Sequence, residues 1–126
     1  MAWSAKIQTG TNVPYEPEEA NTMATYAISG TTYTLGLAEV GKRLRTENGS
    51  ATTITVPTNG TAAFNVGTIF LGYQYGAGQV TISPADGTVT LRTAYNAART
   101  TRAQYSVFAI EKIGTNEWLV YGDLTP

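Results

Sequence analysis

The stretch that decides the fold begins with Thr52-Thr53-Ile54-Thr55-Val56-Pro57 and runs to Gly122 as short alternating segments separated by glycine turns. Residues 79–82 and 88–91 repeat the alternation of threonine with aliphatic residues. Because successive side chains of a strand point to opposite faces, this period of two places the aliphatic residues on one face and the threonines on the other. Threonine is β-branched and suits a pleated surface, and 22 of the 126 residues are threonine. The sequence therefore predicts an all-β fold.

The turn signals predict how the strands are joined. Their regular spacing favours a compact sandwich or barrel-like knob of short antiparallel strands. Residues 37–41 are expected to form one short helical turn, and residues 42–46 an edge or surface strand. Gly76-Ala77-Gly78 resembles the start of a dinucleotide-binding fingerprint, but the third glycine and the helix are missing, so a hairpin turn is predicted. Residues 104–113 and 116–122 are predicted to form a closing hairpin.

The first 23 residues differ from the remainder. They contain Pro14 and Pro17, three acids and no clear strand pattern, which predicts an extended N-terminal arm over residues 1–23 and a β domain over residues 24–126. The arm is expected to order only on a partner and to add little to the stability of the domain. Its expected anchors are Trp3, Ile7, Val13 and Tyr15, with Glu16, Glu18 and Glu19 meeting basic groups of the partner.

Composition excludes several function classes. Only 13% of residues are charged and the net charge is −1, so electrostatic attraction to nucleic acid or to an anionic membrane is not expected. The chain has neither cysteine nor histidine, which removes the usual nucleophiles, bases and metal ligands. Residues 1–6 show no basic start followed by an apolar stretch, so we expect no signal peptide, and no apolar run approaches membrane-spanning length. We therefore expect no enzymatic activity, no catalytic residue, no metal site and no cofactor.

Three segments carry apolar side chains on both faces: residues 68–75, 104–113 and 116–122. A strand buried on both faces is either central in its own fold or pressed against another chain. A domain of this size is not expected to enclose three such strands alone, which predicts a homo-oligomer. The residues predicted at or near the subunit interface are Phe70, Tyr73, Tyr75, Phe108 and Trp118.

Other polar and aromatic motifs have two interpretations. The eight tyrosines, with Trp3 and Trp118, either pack in the core and interfaces or offer a sugar-stacking surface. Asn48-Gly49-Ser50 and Asn59-Gly60-Thr61 are formal glycosylation acceptors, and they are equally good turn dipeptides, which we favour. Three arginines also have two interpretations. They either form ion pairs with the acids of a neighbouring arm or are solvated: Arg92, Arg99 and Arg102.

Four segments together resemble a known family: Ala51-Thr52-Thr53-Ile54-Thr55-Val56-Pro57, then Phe64-Asn65-Val66-Gly67-Thr68, then Gly76-Ala77-Gly78-Gln79-Val80-Thr81-Ile82, and last the stretch from Lys112 to Leu124. Their order and spacing resemble a small β domain of virion proteins of tailed bacteriophages, found in capsid decoration proteins and at the ends of head and tail fibres.

The resemblance implies a trimeric all-β knob without catalytic residues. Fibre proteins usually carry this domain at the end of a longer chain, whereas here only a short arm precedes it. We therefore expect a decoration, or cement, protein on the outer capsid surface of the virion, with arms that bind the major capsid protein. The alternative is a tail-fibre or head-fibre tip that binds host-surface glycans through aromatic rings.

Overall fold

The computed structural model describes residues 22–126, and within them the chain is built from nine short strands. Two three-residue 3-10 turns, Leu37–Glu39 and Ala94–Asn96, are the helical segments of this range. The strands in chain order are β1 Thr25–Ile28, β2 Thr32–Thr34, β3 Arg43–Thr46, β4 Thr52–Val56, β5 Ile69–Gln74, β6 Val80–Pro84, β7 Thr90–Arg92, β8 Val107–Gly114 and β9 Glu117–Gly122.

The strands form two sheets, and the chain alternates between them from β1 to β7. The larger sheet has six strands in the order β1-β3-β5-β8-β9-β7, and the smaller has three in the order β2-β4-β6. Each pair β1–β2, β3–β4 and β5–β6 is therefore one coil that contributes a strand to each sheet. Successive coils stack in parallel, with Tyr26 beside Leu44 in the six-stranded sheet and Tyr33 beside Ile54 in the three-stranded sheet.

The turns within successive coils stack as closely as the strands do. The Asn48 side chain donates from Nδ2 to the Ser29 carbonyl at 2.9 Å, and the Gly78 amide donates to the Asn48 carbonyl at 3.0 Å. A Cβ atom on Gly76 or Gly78 would collide with the backbone of the turn between β3 and β4. Only glycine permits this approach, so the two glycines serve coil stacking rather than a reversal of the chain.

After the third coil the chain reverses. β8 pairs antiparallel with β5, and β9 pairs antiparallel with β8 across a tight connection that includes a register shift between Lys112 and Gly114. β7 then lies parallel to β9 at the far edge of the sheet. This hairpin covers the third coil on the side of the six-stranded sheet.

Inward-facing side chains of both sheets meet in one hydrophobic cluster. Phe64, from the connection between β4 and β5, packs edge-on against Phe70 and Trp118, with ring centroids 5.4 and 5.5 Å apart. Aromatic pairs of this geometry contribute about 0.5–1.5 kcal/mol beyond the burial of their area. The other fully buried members include Leu44, Ile54, Ile82 and Ile110.

The all-β prediction, the short helical turn and the closing β8–β9 hairpin are confirmed. The prediction of antiparallel strands is wrong, because five of the seven strand pairings in residues 22–126 are parallel. The hairpin predicted at Gly76–Gly78 is wrong as well, since β5 and β6 belong to different sheets. So is the edge position of residues 42–46, since β3 lies between β1 and β5. The predicted arm falls almost entirely outside the described residues.

Candidate assembly surface

The two sheets present chemically different faces to the outside. The outward positions of the three-stranded sheet all carry hydroxyl groups: Thr32, Thr34, Thr53, Thr55, Thr81 and Ser83. We call this the threonine face. The outward positions at the centre of the six-stranded sheet are mostly apolar, and we call them the apolar face: Ile69, Leu71, Tyr73, Val107, Ala109 and Tyr121.

The apolar face is continuous across three strands. Leu71 lies beside Ala109, which lies beside Tyr121, and Tyr73 lies beside Val107. Together with Arg43 these side chains line a shallow groove of about 340 Å³. Val107 is 59% exposed, an unusual fraction for a valine at the centre of a six-stranded sheet. Contiguous apolar surface of this kind is typical of a contact site for another macromolecule.

Opposite charges flank the apolar face. Arg43 lies on β3 at one side, and no acidic partner within residues 22–126 forms an ion pair with it. Glu111 lies on β8 next to Ile69, at the end of the face away from Tyr73, where it accepts a hydrogen bond from the Tyr121 hydroxyl at 3.1 Å. Burial, together with this bond, raises the pKa of Tyr121 above its usual value. The face therefore carries a cation at its β3 side and an anion at its Ile69 end.

A tyrosine patch extends the apolar face at one end and consists of Tyr73, Tyr75 and Tyr105. The ring centroids are 6.5 Å apart between Tyr73 and Tyr75 and 6.3 Å apart between Tyr75 and Tyr105. The Arg45 guanidinium lies 5.0 Å from the centre of the Tyr75 ring. Tyr105 has a positive φ of 72°, which is uncommon for a bulky residue and turns its side chain outward, where it is 65% exposed.

The predicted interface residues divide into two groups. Phe70, Phe108 and Trp118 lie in the core of the chain itself, at most 2% exposed, so no partner is needed to bury them. Tyr73 and Tyr75 lie on the outer surface, where the interface prediction stays a prediction. The sequence did show this division, because alternation places Ile69, Leu71 and Tyr73 opposite Phe70. The aromatic residues were chosen for their size rather than for their face, and Val107 was missed.

Lys112 is the one lysine or arginine buried in residues 22–126. Its ammonium donates to the Asn59 side-chain oxygen at 2.6 Å and to the Phe64 carbonyl at 2.7 Å, 6.0 Å from the centre of the Trp118 ring. Burial lowers the pKa of Lys112. These bonds fasten the connection between β4 and β5 over the core. They also give Asn59 a structural role within its turn, as predicted.

Of the three arginines Arg92, Arg99 and Arg102, two have carboxylate partners within the chain. Arg92 pairs with Glu117, and Arg102 pairs with Asp123 at 2.8 Å. A hydrogen bond from Ser106 and the Arg102 guanidinium lower the pKa of Asp123. The third, Arg99, donates to the Ile82 carbonyl at 3.1 Å. The predicted pairing of these arginines with a neighbouring arm stays a prediction, with local partners now identified.

The predicted arm contacts Trp3, Ile7, Val13, Tyr15 and Glu16 lie outside the described residues, as do Glu18 and Glu19. Within residues 22–126 no group of three acidic side chains is arranged to hold a metal ion. In the same range no helix has the length and apolarity needed to cross a membrane.

Comparison with known proteins gives no relative for this chain. No protein-family model, no curated protein and no solved structure matches it.

Proposed function

We propose that this chain is a structural protein of a bacteriophage virion, a homotrimeric capsid decoration protein that binds and stabilises the major capsid shell from outside. The observation that carries the proposal is the apolar face, a contiguous apolar surface on the outside of a chain whose core is already packed. In this proposal the two sheets and their shared core form a compact knob. The location in a virion rests on the resemblance of the four segments between Ala51 and Leu124 to decoration and fibre domains.

The flanking charges support a cyclic assembly. In a ring, each copy meets the next through two different surfaces, so a cation on one side can meet an anion on the other. Arg43 lies beside the apolar face on β3, and Glu111 lies at the end of the face next to Ile69, so the two charges occupy separate positions on its rim. Three copies would then bury Val107 and Tyr121 against their neighbours and pair these charges around the ring. Complementary charges add specificity to an apolar contact.

The stabilising mechanism is mechanical. Each apolar square ångström buried on a capsid junction contributes roughly 25 cal/mol before ordering costs are subtracted. The arm would supply part of the contact with the major capsid protein, through Trp3, Ile7, Val13, Tyr15 and Glu16. Because the shell is symmetric, a modest contact is repeated many times and resists the pressure of packaged DNA.

A charge exchange tests the assembly. Arg43→Glu is expected to break the trimer by placing two acids together, and so is Glu111→Arg by placing two arginines together. The double variant is expected to recover the trimer, because the pair is restored with reversed polarity. Light scattering measures all three, with Thr55→Glu on the threonine face as a control outside the apolar face. A double variant that stays dissociated like the single ones contradicts the ring arrangement.

Copy number tests the place in the virion. Peptide mass spectrometry of purified particles measures the ratio of this chain to the major capsid protein. A decoration protein follows capsid symmetry and is expected in on the order of hundreds of copies. About a dozen copies would instead place the chain in the tail.

The tyrosine patch favours a second candidate, a tail-fibre or head-fibre tip that binds host-surface glycans. Tyr75 and Tyr105 expose flat rings beside Arg45, and aromatic faces stack on pyranose rings. Glycan-array binding that is lost in Tyr75→Ala and Tyr105→Ala would support this candidate. Tyr95→Ala is the matched control, because Tyr95 is fully exposed and lies outside the patch.

A further inference from the structure

The ammonium of Lys112 is buried without a negative partner. The residue is only 2% exposed, and its hydrogen bonds go to two neutral oxygens, Asn59 Oδ1 at 2.6 Å and the Phe64 carbonyl at 2.7 Å. None of the three ion pairs in residues 22–126 includes this lysine. A buried charge that lacks an opposite charge destabilises a fold, so a carboxylate formed beside Lys112 would stabilise this one.

The Asn59 side chain directs its carbonyl oxygen at the ammonium. An ammonium can only donate, so the atom that faces it is Oδ1, and the Asn59 Nδ2 makes no hydrogen bond within residues 22–126. The bond from Lys112 polarises the side-chain carbonyl and makes its carbon, Cγ, more electrophilic. It also places a positive charge where negative charge develops on Oδ1 when a nucleophile adds to Cγ.

The nucleophile that the chain supplies is the backbone amide of Gly60. This amide follows Asn59 directly, so its attack on Cγ closes a succinimide ring within one molecule. The Gly60 amide donates no hydrogen bond within the described residues, and glycine carries no side chain that hinders ring closure. Gly60 is exposed and Asn59 is half-buried, so water reaches the ring from the surface.

We propose that Asn59 is a self-modification site, at which the Gly60 nitrogen displaces ammonia from the side-chain amide and water opens the resulting succinimide. The bond from the Gly60 nitrogen to Cγ forms, the Cγ–Nδ2 bond breaks, and the Gly60 amide proton leaves on the ammonia. Water then adds to one ring carbonyl and gives aspartate or isoaspartate, whose carboxyl proton passes to solvent. In the aspartate product the carboxylate pairs with Lys112. The reaction needs only this chain and water, so it is independent of the proposed function.

Asn48-Gly49 is the same dipeptide in a different setting. The Asn48 Oδ1 accepts a hydrogen bond from the Ser50 amide at 2.7 Å, and its Nδ2 donates to the Ser29 carbonyl at 2.9 Å. Within residues 22–126 no lysine or arginine donates to this oxygen. The two asparagines therefore separate the effect of Lys112 from that of the dipeptide itself.

Ageing of the full chain at neutral pH tests the site, and peptide mass spectrometry measures the conversion of each asparagine. Asn59 is expected to convert at least about tenfold faster than Asn48, because only Asn59 has a cation at its carbonyl oxygen. Lys112→Met should slow Asn59 by a similar factor and leave Asn48 unchanged. Asn48 also reports on the fold, since general loosening of the chain would change its rate too.

Gly60→Ala tests ring closure without touching the lysine. A Cβ atom on Gly60 would meet nothing closer than the Thr58 hydroxyl at 4.0 Å, so the turn accommodates the methyl group. The methyl group hinders attack by its own amide nitrogen, so conversion of Asn59 should slow while the bond from Lys112 persists. A rate that stays the same would show that the Gly60 amide is not the nucleophile.

Asn59→Asp installs the product directly and does not depend on the behaviour of the lysine variant. It should raise the melting temperature, and it should raise the pKa of Lys112, which burial lowers in the unmodified chain. In a Lys112→Met background the same substitution should give no gain. A single variant that melts below the unmodified chain would overturn the proposal. So would equal conversion of Asn59 and Asn48, or a rate at Asn59 that Lys112→Met leaves unchanged.

Discussion

The threonine face and the apolar face cover the same core from opposite sides, yet they are built for different surroundings. Thr53, Thr55 and Thr81 give the three-stranded sheet a polar surface that retains strand propensity. Leu71 and Val107 give the six-stranded sheet a surface that water solvates poorly. The difference teaches that strand alternation alone does not distinguish a solvent face from a partner face. The chemistry of the outward residues separates the two faces, and it is the basis on which we propose a partner for the apolar one.

Substitutions on β9 compare the core-facing side of one strand with its outer side. We expect the largest loss of stability on the core-facing side. Trp118→Ala should lower the free energy of unfolding by about 3–5 kcal/mol, because it leaves a cavity beside Phe64. Tyr121→Ala should lower it by less than about 1 kcal/mol. Chemical denaturation measures both, in an Arg43→Glu background, which we expect to be monomeric. Equal losses would show that the apolar face is packed within the chain.

A carboxylate placed on either face tests the contrast between them. Val107→Asp should raise the dissociation constant of the assembly at least about 100-fold, because the charge would be buried without a partner. Thr55→Asp is the matched control on the threonine face and should leave the constant unchanged. Sedimentation measures both constants. Equal dissociation by the two variants would remove the distinction between the faces.

Lys112 tests the core that the two faces share. Lys112→Met should lower the free energy of unfolding by about 1–3 kcal/mol at neutral pH, since it leaves the Phe64 carbonyl without its donor. Burial lowers the pKa of the folded state below the usual 10.5, so the folded state binds fewer protons. The unmodified chain should therefore gain stability as the pH rises toward 10.5, and the variant should lack this gain. Chemical denaturation of both proteins over this pH range measures the gain. An equal gain in the variant would contradict the assignment to Lys112.

Replacing Asp123 should have the smallest effect on stability. Ser106 and Arg102 hold its folded pKa below the usual 3.8, so its stabilisation is present above that pH and is lost as the pH falls through the folded pKa. The melting temperatures of the unmodified chain and of Asp123→Asn should therefore converge in acid. The assembly should be unaffected. A difference that persists in acid would assign the stabilisation to another group.

The sequence predicted the strands and the composition of their faces, because both follow from local alternation. It did not predict parallel coils, because an Asn-Gly or Gly-Ala-Gly turn looks the same whether the chain reverses or crosses to another sheet. That choice depends on long-range contacts such as the bond from Gly78 to Asn48. The core position of Phe70 and Trp118 was missed for a related reason. Aromatic size indicates burial, but only the fold shows which side is buried within the chain.

Sedimentation equilibrium of the unmodified chain at about 1 µM tests most directly whether the apolar face is a subunit contact. We predict a single species of about 40 kDa, three times the 13.4 kDa of one chain. A single species of 13.4 kDa at this concentration would contradict the account.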